Sequence, residues 1–201
     1  MRTPTCTFPI AALALFLPLS GPAAAQEDSD WPCIQRLVPR ISPAQVWGGP
    51  APNPEEWQGD AEISRLASQI AARRLSVGEA EELIDAFATA QDRSKRDDRL
   101  TALFGRTLEI INADRASIIA GIKRFTERQR QMAERIRENR VALDETEADE
   151  REDLSETLQW DIRIFNEREQ ALNYLCEQPV LLEQRAFSLG STITSRLGES
   201  D

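Results

Sequence analysis

The sequence predicts an all-α protein, an elongated antiparallel helical bundle or long helical hairpin with an irregular N-terminal arm. Three observations lead there. Phe104, Ile111, Ile118, Phe125, Met132 and Asn139 recur every seven residues, and Leu108, Arg115, Ile122, Gln129, Ile136 and Leu143 form a second register four residues on. Spacings of four and three put both sets on one seam of a helix. A second apolar series, Leu154, Leu158, Ile162, Phe165, Leu172 and Leu175, follows a polar break near Asp144 to Thr146 and can fold back against the first. Aromatic residues are only 6% of the chain, which suits helices packed with Leu, Ile and Ala rather than a sheet.

Residues 1–25 read as a cleaved secretory signal peptide: Arg2, an apolar run from Ile10 to Leu19, then Ala23-Ala24-Ala25. The run is too short for a membrane span and contains Pro18, so no integral span is expected. Cys6 leaves with the leader. Removing Arg2 leaves 23 basic against 34 acidic groups, a net charge of −11 that opposes general binding to nucleic acid or anionic lipid. The expected location is periplasmic or otherwise secreted. Cys33 and Cys176 then remain, and an even count in an oxidising compartment predicts one disulfide between them. With no histidine in the chain, the usual base for a cysteine nucleophile and the usual zinc partner are both missing.

Residues 26–54 form the predicted arm. Prolines at 32, 39, 43, 50, 52 and 54 rule out a long helix, while Trp31, Ile34, Leu37, Val38, Ile41, Val46 and Trp47 are too apolar for a solvated tail. The arm should lie along a helical body, stapled by Cys33.

The helical domain spans 55–201. Pro54-Glu55-Glu56 resembles a helix entrance, leading to an apolar face of Ile63, Leu66, Ala67 and Ile70. Ser76 and Glu79 have capping-box spacing for the next helix, whose buried face should include Leu83, Phe87 and Ala90. The polar cluster from Asp92 to Asp98 separates this pair from the long hairpin, residues 100–177. A turn near 144–146 would bring Ile136 near Leu154, Phe125 near Phe165, and Ile118 towards Leu172 or Leu175. Pro179 is expected to end or bend the returning helix, and Leu182, Ala186, Leu189, Ile193 and Leu197 mark a final one. Gly190 weakens that last segment.

Residues 144–156 hold eight carboxylates in thirteen, without the turn glycine and ligand alternation of an EF-hand. Lys123, Arg124, Arg128, Arg130, Arg135, Arg137 and Arg140 load the end of the preceding helix with positive charge, so the two signs suit their local dipoles and attract across the pair. Arg115, Gln129 and Asn139 interrupt the apolar seam and demand polar partners.

The function expected is that of a non-enzymatic exported interaction protein, acting as an adaptor, chaperone-like factor or assembly subunit. Its partner is another protein or a second copy. Phe125, Met132, Ile136, Leu158 and Phe165 are the candidate partner patch; the competing reading hides all five inside the hairpin's own two-helix core. No catalytic residue, metal set or cofactor site is assigned. One alternative is a small-ligand or divalent-metal binding module, with Trp31, Trp47 and Trp57 lining a pocket between arm and bundle. The other is a carboxylate-dependent hydrolase, for which no pair of acids can be placed in a cleft.

Overall fold

The computed structural model describes residues 31–198, so the leader, its cleavage point and Cys6 lie outside the described residues. Five α-helices follow one another: α1 Pro43–Val46, α2 Ala61–Ala71, α3 Val77–Ala90, α4 Arg96–Glu145 and α5 Ala148–Thr194. A single 3-10 turn, Pro54–Glu56, precedes α2, and no strand occurs among the described residues. The chain is an all-α bundle.

The helix count matches the expectation, but the chain is divided differently. Pro54 does not open α2. It starts the isolated 3-10 turn, and Gly59 at φ 83 separates that turn from Asp60, whose carboxylate caps α2 by accepting from Ile63 N–H at 2.9 Å. Ser76 and Glu79 form the capping box of α3 as expected. On α3, Ala90 is exposed, and Ala80, Ile84, Phe87 and Ala88 make the buried face.

Pro179 neither ends nor divides the last helix, which runs continuously from 148 to 194. Its ring removes the bond to the Leu175 carbonyl, a change that costs about 3 kcal/mol in an isolated helix. Tertiary contacts on both sides hold the segment. Cys176 is bonded to Cys33, Gln35 donates its side-chain amide to the Cys176 carbonyl, and Arg115 Nε donates to the Pro179 carbonyl at 3.4 Å.

At about 1.5 Å per residue α4 and α5 are each roughly 70 Å long. They pair antiparallel through the turn at Thr146 and Glu147, but only their lower halves are covered by other elements. That base holds the main core, in which Leu100, Leu103, Phe104 and Ile111 of α4 meet Leu182, Leu189 and Ile193 of α5, with α2 and α3 packed around them. Gly190 has a specific reason to lack a side chain: a methyl group there would overlap the Val46 carbonyl of α1. The upper halves form a bare two-helix stalk with its own small cluster, Met132, Ile136 and Leu158.

Candidate docking surface on the stalk

The arm is held to the base by buried polar residues of α4, one on the apolar seam and one beside it. Asn112, buried in α4, accepts from Ile41 N–H at 2.9 Å and donates to Ile41 C=O at 3.0 Å, pairing with the arm as a neighbouring strand would. Arg115, also buried, donates to the carbonyls of Val38 and Pro179, and its guanidinium lies 4.0 Å from Glu183. Burial lowers its pKa from the usual arginine value, with Glu183 acting in the opposite direction. Arg185 donates twice to Ile70 C=O, at 2.9 and 2.6 Å, and so satisfies a carbonyl in the last turn of α2. The disulfide between Cys33 and Cys176, with Cα atoms 5.5 Å apart, joins the arm to the same level of α5.

The tryptophans that the small-ligand alternative placed around one pocket are dispersed. Trp47 stacks on Phe104 with ring centroids 4.1 Å apart, and its indole N–H donates to Pro50 C=O. Trp57 is buried against Gly105 and donates to Glu109 at 3.0 Å, while Trp31 donates to the Gln35 carbonyl. All three serve as anchors for the arm and the turn before α2. Among the described residues, no group of three acidic, histidine or cysteine side chains converges on a metal position.

Higher up, Arg135 makes a two-pronged pair with the buried Asp161, at 2.9 and 2.8 Å. Asp161 holds the Arg135 guanidinium above the usual arginine pKa by hydrogen bonding. Gln129 donates to the Phe165 carbonyl and to Glu169, each at 3.3 Å. These bonds set the register of the stalk. Ile136 meets Leu158, one helical turn beyond the expected Leu154, because the turn falls at Thr146–Glu147 instead of being centred one to two residues earlier.

The five candidate patch residues therefore occupy different settings. Met132, Ile136 and Leu158 are buried against one another, and Phe165 packs partly buried beside them. Phe125 lines a separate groove of about 500 Å³ at the shoulder, where the base ends and the stalk begins. Ile118, Gly121, Phe125 and Leu175 form its apolar floor, and the exposed Arg73, Arg124 and Arg128 surround it. Sequence periodicity could not supply Arg73, which arrives from the end of α2.

Of the three exposed aromatics on α5, Phe187 lies at the base, and the two on the upper part of the helix were also missed. Trp160 is 58% and Tyr174 71% exposed. Their spacing of fourteen residues, two heptads, puts them on one line of the helix, and Tyr174 neighbours the groove residues Leu175 and Gln178. The signal was present in that spacing, but each aromatic is isolated among polar neighbours. In comparisons with family models, curated proteins and solved structures, nothing matches this chain.

Proposed function

We propose that this chain is an exported, non-enzymatic interaction protein that offers the face of its stalk to a protein partner, as an adaptor, chaperone-like factor or assembly subunit. The observation that carries the reading is the contrast between the two sides of the hairpin. Its inner seam is closed by Met132, Ile136 and Leu158, whereas Trp160 and Tyr174 stand exposed on the outside of α5, and Tyr174 borders an apolar groove lined by three arginines. Exposed aromatics next to arginine are the side chains that most often anchor protein interfaces. The arginines select the chemistry of the partner: apolar side chains flanked by carboxylates. The leader supports export, and the disulfide suits an oxidising compartment.

Photoreactive side chains placed singly at Trp160 and Tyr174 test this in the intact source cell. The expected result is a discrete crosslinked protein product from both positions and none from Met132 or Leu158. Crosslinks from the inner positions alone would overturn the assignment of the face, and none from any position would overturn the function.

A further inference from the structure

We infer that the occupant of this face is a second copy of the chain, its stalk paired antiparallel to the first about a twofold axis level with Ala133; this rests on the protein-docking reading above and names its partner. One stripe of α4 carries the inference. Arg124, Arg128, Gln131, Glu138, Ala142 and Glu145 succeed one another at helical spacings of three, four and seven, so they share a face. Arg135, which falls within the stripe, is turned to Asp161. The stripe is positive at the shoulder, neutral at Gln131 and negative towards the tip. Arg124, Arg128, Glu138 and Glu145 are all exposed, and among the described residues none of the four is engaged in an ion pair within its own chain.

A stripe with its two signs at opposite ends complements itself only when reversed. Turned about the level of Ala133, Arg128 faces the second copy's Glu138, and Arg124 lies between the second copy's Glu138 and Glu145. The twofold repeats each contact. Parallel pairing in the same register would instead set Arg128 against Arg128 and Glu138 against Glu138.

Sedimentation equilibrium of the leader-free, disulfide-bonded protein tests the inference. The expected result is a dimer at low ionic strength that weakens as salt screens the exposed pairs. The double reversals Arg124→Glu/Arg128→Glu and Glu138→Arg/Glu145→Arg should each weaken it by about a hundredfold. Combining all four in one chain should restore the dimer, as should mixing the two double variants, whose stripes then carry single opposite signs. Circular dichroism confirms that each variant is folded. Monomeric wild type at 100 µM and low salt, on the order of ten times a weak dimer's Kd, would overturn the pairing. So would a dimer indifferent to the reversals. If the wild type is monomeric yet Trp160 and Tyr174 crosslink a different protein, self-pairing is wrong and the docking function stands.

Discussion

Removing the Asn112 side chain should loosen the arm from the base by an amount set by two backbone groups. Ile41 is 1% exposed and Asn112 4% exposed, so little water reaches the Ile41 N–H and C=O once their partner is gone. Each buried unsatisfied group costs about 1–3 kcal/mol. Partial relaxation of the arm, still tethered by the disulfide, brings the expected loss for Asn112→Ala to about 2–4 kcal/mol. For a domain of this size that corresponds to a fall in Tm of about 5–15 °C. Urea unfolding followed by far-ultraviolet circular dichroism measures it, and an unchanged m-value would show that the denatured state is the same. Asn112→Asp sharpens the test: it keeps the acceptor for Ile41 N–H, loses the donor and buries a charge facing the Ile41 carbonyl. Burial raises that carboxyl's pKa, and its protonated form donates again, so the aspartate variant should regain stability as pH falls. A loss below about 0.5 kcal/mol for the alanine variant, against the 1–3 kcal/mol of a single orphaned group, would refute the reasoning. So would an aspartate variant without this pH dependence.

The disulfide closes a separation of 143 residues, and replacing both Cys33 and Cys176 by Ser should cost about 2–5 kcal/mol in the same urea assay. Two glycine substitutions should move stability in opposite directions. Gly78→Ala, which meets no atom within 4 Å, should raise it by about 0.5–1 kcal/mol, while Gly190→Ala should lower it because the methyl group displaces α1. Acid should weaken the base. Asp60 is held below its usual pKa by the Ile63 N–H and Arg99, Asp85 by Arg196, and Glu109 by Arg106 and Trp57. A folded-state pKa below the unfolded one gives stability that is complete above the unfolded value, about 4, and lost as pH falls through the folded value. Stability measured by urea titration should therefore be flat from about pH 8 to 5 and decline below about pH 4, with Asp60→Asn showing a shallower decline.

Local pattern carried most of the helical architecture. The seam was legible because periodicity survives where packing is regular, and Arg115 and Gln129 announced a need for polar partners. Their partners, the backbone of Val38 and Phe165, lie far away in sequence and leave no local trace. Pro179 misled because the rule for proline is local, whereas the contacts that keep α5 continuous come from Gln35, Cys33 and Arg115. The register was shifted by one turn because it follows from where the chain reverses, which the dispersed acids near 144 do not mark sharply. Periodicity also could not tell whether Met132 and Leu158 faced each other or another molecule, since both arrangements impose the same spacing. The groove was invisible for a different reason: its ring of charge combines Arg73 of the exposed segment after α2 with two residues of α4.

Thiol labelling tests most directly whether the stalk is closed inside and open for docking outside. Single cysteines at 132, 158, 160 and 174 would be introduced into the disulfide-bonded protein and labelled at low concentration in high salt, where copies are apart. Positions 160 and 174 should react at the rate of a free exposed thiol, and positions 132 and 158 at least about a hundredfold more slowly, in keeping with access only through opening of the helix pair. Equal labelling at all four positions would contradict the account, because the seam would then be open and Met132 and Leu158 would belong to the docking face.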